Sequence, residues 1–254
     1  MKKIRCGFTL VEVSLFLAIT AMIFVGIAVG TQSSIFQQRY NDAVQNFAEF
    51  LRSTYSQVSN VQSEGMGRTD KAIYGRLVTF RKDGGENVIN SYNVIGKIEN
   101  DSASGNILDE LSKLDANVIV KDGDEFKAVG FVNEYKPRWG SQIQTTAGWN
   151  SGYEIFEGML LIVRHPGSGT IYTFADLGES IDVDTMITES NAMSVEKNYL
   201  KPLLSKDFQK EEVIFCVNPN GAEKSNLRRG VKIIAGARNA SGIEILSDEE
   251  GCNS

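Results

Sequence analysis

The chain has 254 residues, room for one or two domains, of which 42% are hydrophobic and 23% charged. Its 32 acidic residues outnumber its 26 basic ones, for a net charge of −6. That excludes a general nucleic-acid binder, whose affinity rests on an excess of Lys and Arg facing phosphate. Only four prolines, glycines scattered through the second half, and no repeat at a fixed period exclude low-complexity and solenoid classes.

The first predicted element is an apolar run over residues 8–30, in which Glu12 is the only charged residue. A bilayer core takes about 20 helical residues, so the run can span it. Lys2, Lys3 and Arg5 precede it and predict a cytoplasmic start with the rest of the chain outside. No second run of this kind follows, so the expectation is a single-pass protein with a large exterior domain. A secretory signal peptide shares the basic start, but its apolar core is about 7–15 residues, and Ala28-Val29-Gly30 makes a weak cleavage site. An ordinary uncleaved anchor is the other reading.

Beyond the run, Phe36, Tyr40, Val44, Phe47, Leu51, Tyr55 and Val58 recur at three- and four-residue steps. This spacing draws one apolar stripe, opposite Gln38, Asn41, Asp42, Gln45, Glu49, Arg52 and Gln57. The pattern predicts one helix over residues 8–60, on the order of 80 Å long at about 1.5 Å per residue. Its second half, over 31–60, lays the stripe on a globular head over 61–254.

In the head, strands over 73–81 and 87–98 flank Asp83-Gly84-Gly85, a hairpin signal. A short helix is expected over 107–114. Strands over 118–120 and 126–132 flank Asp122-Gly123-Asp124, and strands over 154–164 and 170–174 flank His165-Pro166-Gly167-Ser168-Gly169. Residues 137–152, rich in Gly, Ser, Thr and Gln, read as an exposed loop with Trp139 and Trp149 as candidate contact residues. A helix around 195–204 and late strands over 213–217, 231–235 and 243–246 complete the series. The fold class is α+β: a long helix packed on an antiparallel sheet.

Enzymatic chemistry has little support. His165 is the only histidine and sits in a turn, so neither a histidine-based metal site nor a Ser/His/Asp constellation is indicated. Asp122, Asp124 and Glu125 offer clustered oxygens suited to calcium, against the plainer reading of a solvated turn. No glycine loop suited to phosphate is evident, and no cofactor is expected.

The amino terminus resembles the class III signal sequences of type IV pilins and of the pseudopilins of type II secretion and DNA-uptake machines. The resemblance lies in the basic leader, then Gly7-Phe8-Thr9-Leu10-Val11-Glu12, then an unbroken apolar helix, and it covers about the first 30 residues. It implies a pilin-like fold. It also implies that prepilin peptidase, a membrane aspartyl enzyme, cuts between Gly7 and Phe8 and methylates the new amine of Phe8. The apolar helix is retained, and the cut discards the basic tether. Glu12 then lies four residues beyond a positive amine. A carboxylate in lipid is expensive, and the resemblance implies that the amine of a neighbouring subunit neutralises it, so that only the correct axial stagger is favoured. The implied role is a structural subunit, first a single-pass protein of the cell membrane and then part of a surface pilus or pseudopilus. The implied partners are the lipid bilayer, other pilin subunits, the membrane platform protein and the assembly ATPase, with nucleic acid only in a DNA-uptake pilus. Many major pilins carry a proline midway through the membrane half, whereas this chain has none before Pro137. That, with the large head, points to a minor pilin or pseudopilin.

Of three cysteines, Cys6 leaves with the leader. Cys216 and Cys252 remain, an even count in an exported chain, and the resemblance supports a disulfide between them. It would close a loop of about 36 residues and add about 3–4 kcal/mol on the chain-entropy model. Two free thiols are the alternative. Some pseudopilins bind calcium, which bears on Asp122, Asp124 and Glu125.

Overall fold

The computed structural model describes residues 9–60, 72–97, 115–119, 133–145, 156–165, 169–176, 212–218, 229–246 and 252. The chain separates into two compact units, one ending at Asp42 and the other beginning at Ala43. The boundary falls inside a single 50-residue helix, α1 (Leu10–Ser59).

From Ala43 onward, α1 is amphipathic as its spacing predicts. Val44, Phe47, Ala48, Leu51, Tyr55 and Val58 are buried, while Gln45, Glu49, Ser53 and Ser56 face solvent. Among the described residues the same unit holds ten strands: β1 (Ala72–Asp83), β2 (Glu86–Lys97), β3 (Asp115–Ile119), β4 (Asn133–Tyr135), β5 (Gln142–Thr145), β6 (Gly158–Arg164), β7 (Ile171–Asp176), β8 (Val213–Asn218), β9 (Arg229–Ile233) and β10 (Ile243–Ile245). All of the strand pairs are antiparallel.

The expectation of one sheet is corrected to two. The first runs β3-β2-β1-β6-β7, with β4 also paired to β2, and the second runs β10-β9-β8-β5. The β1–β2 hairpin closes through Gly84 at φ 58° and Gly85 at φ 94°, a left-handed pair that glycine adopts without steric cost. The helix covers one face of the first sheet. Phe47 meets Phe80 at 6.4 Å, and Tyr55 Oη lies 2.7 Å from Thr173 Oγ1. The strand β6 is buried along Gly158–Val163, so its apolar run is covered on both faces rather than on the helix side alone.

A second correction concerns residues 137–152. Arg138–Gly140 form one 3-10 turn, and Gln142–Thr145 are strand β5, the edge of the second sheet, rather than loop. The strand has a single apolar residue, Ile143, so its hydrophobic pattern carries almost no signal. The helices expected over 107–114 and 195–204, and the strand over 126–132, lie outside the described residues.

Aromatic rings join the three layers. Phe80 stacks on Phe215 of β8 at 5.1 Å, Phe47 meets Phe215 edge-on at 5.7 Å, and Phe156 packs on both Phe80 and Phe215. Phe50 stacks on Tyr135 at 4.9 Å. Such pairs add about 0.5–1.5 kcal/mol each beyond area burial. Polar pins accompany them: Arg52 Nη2 donates to the Ile243 carbonyl at 3.0 Å, and Arg164 Nη1 to the Ser59 carbonyl at 2.9 Å. The second of these meets one of the carbonyls a helix leaves unbonded at its end.

Candidate functional site

The amino-terminal end of α1 is the first candidate. The Thr9 backbone N–H and hydroxyl both donate to Glu12 Oε2 at 2.8 Å, and the Glu12 N–H donates to Thr9 Oγ1 at 3.3 Å. With Val13 N–H bonded to the Thr9 carbonyl at 3.2 Å, Thr9 occupies the cap and Glu12 the third helical position. This is a capping box, in which each side chain satisfies the other's backbone donor. The Thr9-x-x-Glu12 pattern before an apolar run is its sequence signature. The expectation had assigned Glu12 a charge-pairing role and missed this local one. Gly7 and Phe8 lie outside the described residues.

Along the following turns the apolar side chains face outward, with Leu10 at 87% and Phe24 at 73% exposed. The helix is long and apolar enough to cross a membrane. Its hydroxyls are bonded inward: Ser14 to the Val11 carbonyl, Thr20 to those of Phe16 and Leu17, and Thr31 to those of Ile27 and Ala28, at 2.9–3.0 Å. In a bilayer these groups would therefore bring no unmet polar atom into lipid.

In the second unit Cys216 and Cys252 form a disulfide, with Cα atoms 5.8 Å apart. Both are buried. The bond ties the carboxy-terminal segment to β8 and passes over Gly230 of β9, where a Cβ would stand 2.9 Å from the Cys252 sulfur. His165 is a buried turn residue: its N–H donates to the Thr170 carbonyl and its own carbonyl accepts from Gly169, both at 2.8 Å. Asp122, Asp124, Glu125 and Trp149 lie outside the described residues. Among the described residues no group of three or more His, Cys, Asp or Glu side chains is placed to hold a metal. Trp139 is exposed.

The sequence places Tyr55 in the buried stripe without its polar partner, and gives no sign of the duty of Asn87. Tyr55, bonded to Thr173, has its phenol pushed up to about 12 by burial, which the Thr173 hydrogen bond opposes. Asn87 is 1% exposed and holds β5 from β2. Its Oδ1 accepts from the Ile143 N–H at 2.6 Å, and its Nδ2 faces the Ile143 and Phe156 carbonyls at 3.4 Å. An asparagine following Glu86 in a strand gives no sign of that duty.

Lys136 is held protonated above its ordinary range, first by its hydrogen bond to Glu134 and then by the charges of Glu134, Asp83 and Glu86. Comparison of the chain with protein-family models, with curated proteins and with solved structures finds no match in any of the three.

Proposed function

We propose that the chain is a structural subunit, a minor pilin or pseudopilin, of a type IV pilus-like filament, matured by prepilin peptidase and assembled through its amino-terminal helix. The observation that carries this reading is a lone carboxylate, Glu12, in an otherwise uncharged apolar run over 8–30, placed four residues past the Gly7-Phe8 bond. Its support is physical. Outward-facing apolar side chains over residues 10–35 need lipid or other helices around them, and the disulfide suits an oxidising exterior. The subunit adheres, moves cells, takes up DNA or secretes protein through its machine, and does no catalysis itself.

A second reading has one observation in its favour. Thr9 already satisfies the Glu12 carboxylate by hydrogen bonding, so the acid does not require a neighbour to be hydrogen-bonded. On that reading the chain is a single-pass anchored exterior binding domain outside any filament. Mass spectrometry of the protein from cells with active prepilin peptidase decides between them. A mature start at N-methylated Phe8 is expected, and an intact leader on Met1 refutes the subunit reading.

A further inference from the structure

The loop over residues 234–242 joins β9 to β10, which pair antiparallel. Backbone bonds close it: the Ile234 N–H donates to the Gly242 carbonyl at 3.0 Å, and the Ala237 N–H to the Ile234 carbonyl at 3.1 Å. Arg238, Asn239 and Ser241 in this loop are exposed. Asn239-Ala240-Ser241 is an Asn-X-Ser triplet without proline in the middle. That is the acceptor pattern for attaching a glycan to an asparagine amide, and it marks a surface loop of an exported chain. A second triplet, Asn100-Asp101-Ser102, lies outside the described residues.

The fold uses one end of the Asn239 side chain. Its Oδ1 accepts the Ser241 N–H at 3.0 Å and the Ser241 hydroxyl at 2.5 Å. It thereby caps the 3-10 turn Ala240–Gly242, as asparagine does in an Asx turn. Such a cap asks only for an oxygen, which aspartate or serine supplies as well. The amide nitrogen has no part in it. Nδ2 makes no hydrogen bond among the described residues, and the exposed side chain leaves it open to a reagent from solvent. The hydroxyl at the third position acts in the same direction. Its bond to Oδ1 polarises the amide and makes the Nδ2 protons easier to remove.

We propose that Asn239 is the acceptor of an N-linked glycan, transferred outside the membrane from a polyprenyl-pyrophosphate-linked oligosaccharide. In that step a bond forms between Nδ2 and the anomeric carbon of the first sugar. The bond from that carbon to the pyrophosphate oxygen breaks, polyprenyl pyrophosphate leaves with the electron pair, and one Nδ2 proton passes to a base of the transferase. The inference needs only that this unit faces the exterior, which the filament subunit and the anchored domain share. The test is mass spectrometry of the full chain from its own cells, intact and then as peptides fragmented with the sugar still attached. An increment of whole hexose or N-acetylhexosamine residues on Asn239 is expected. Asn239→Asp, which keeps the capping oxygen, and Ser241→Ala are expected to lower its occupancy about tenfold or more, and Ser241→Thr to retain it. The aspartate variant keeps the wild-type near-ultraviolet circular dichroism, so its loss reads the acceptor and not the turn. A wild-type chain of unmodified mass overturns the proposal, as does an increment found only on Asn100 or on a serine, or one that Asn239→Asp retains. The start of the mature chain, at Phe8 or Met1, is read in the same spectrum and bears on the filament reading alone.

Discussion

Replacing Asn87 with alanine tests whether one buried side chain holds the two sheets together. The strongest of its three contacts is the 2.6 Å bond from the Ile143 N–H to Oδ1. The two from Nδ2, at 3.4 Å, lie at the edge of useful geometry. The Ile143 carbonyl keeps a second donor, the Phe156 N–H at 3.0 Å, so truncation orphans the buried Ile143 N–H and takes from the Phe156 carbonyl only a 3.4 Å contact. That orphan costs about 1–3 kcal/mol, and the unfilled volume adds on the order of 1 kcal/mol. The expected loss for Asn87→Ala is therefore about 2–4 kcal/mol. Urea unfolding of the full chain in micelles, followed by near-ultraviolet circular dichroism, measures it through a shifted midpoint at unchanged slope. Asn87→Asp keeps the acceptor but turns a carboxylate toward two carbonyl oxygens. It loses at least as much at neutral pH and recovers as acid protonates the group, which then can donate. A loss for Asn87→Ala below about 0.5 kcal/mol, the size of an ordinary surface substitution, refutes the reasoning.

Removing the disulfide with Cys252→Ser costs about 3–4 kcal/mol on the chain-entropy model for a separation of 36 residues, read as a lower urea midpoint. Wild-type protein in reductant is expected to match the variant, and a variant as stable as oxidised wild type refutes the assignment. Tyr55 makes stability pH-dependent at the alkaline end. Its folded pKa of about 12 lies above the ordinary 10.0, so its contribution is complete below pH 10 and disappears as pH rises through 12, by roughly 2–3 kcal/mol. Tyr55→Phe is expected to flatten that part of the stability profile between pH 9 and 12, and an unchanged profile contradicts it. At the helix start, Glu12→Gln keeps an oxygen for Thr9 but no charge, whereas Thr9→Val keeps the charge and loses half the cap. Filament incorporation, scored by immunoblot of sheared filaments, is expected to fall about tenfold or more in the first and stay within about threefold in the second. Equal incorporation of Glu12→Gln and wild type makes the acid a cap and nothing else.

Period and turn chemistry carried the larger elements in the sequence. The long helix announced itself by an unbroken apolar run followed by a stripe at helical spacing, and its observed bounds, Leu10–Ser59, fall within two residues of those expected. The β1–β2 hairpin was legible because Asp83-Gly84-Gly85 demands a tight turn, and β6 because Met159–Val163 is continuously apolar. What escaped was held by single polar contacts. The edge strand β5 takes its place from pairing with β8 and from Asn87, neither of which has a local pattern. The division into two sheets depends on partners far apart in sequence, such as Gln142 opposite Asn218. Of the candidate site, Glu12 was legible as a lone charge in an apolar run, whereas its tie to Thr9 was not read although it is written in a four-residue pattern.

The capping box bears on why an acid stands at that position at all. The first turn of a helix exposes N–H groups and the positive end of its dipole, so a carboxylate is favoured there whatever the helix does next. Hydrogen bonds from Thr9 meet the lone pairs of Glu12, yet they carry no charge and leave the side chain one unit negative. A cap built from serine, asparagine or glutamine would satisfy the same donors without that charge. Capping alone therefore accounts for an oxygen at the third helical position, and the helix dipole favours an ionised one there by less than a carboxylate costs in lipid. On the filament reading the leader takes Lys2, Lys3 and Arg5 with it, and the ionised group gains a further use where a new cation arrives. On the filament reading, the fresh amine at Phe8 of a neighbouring subunit fills that place. The cap then holds the carboxylate at the end of the helix, where an incoming amine meets it with its hydrogen bonds already formed.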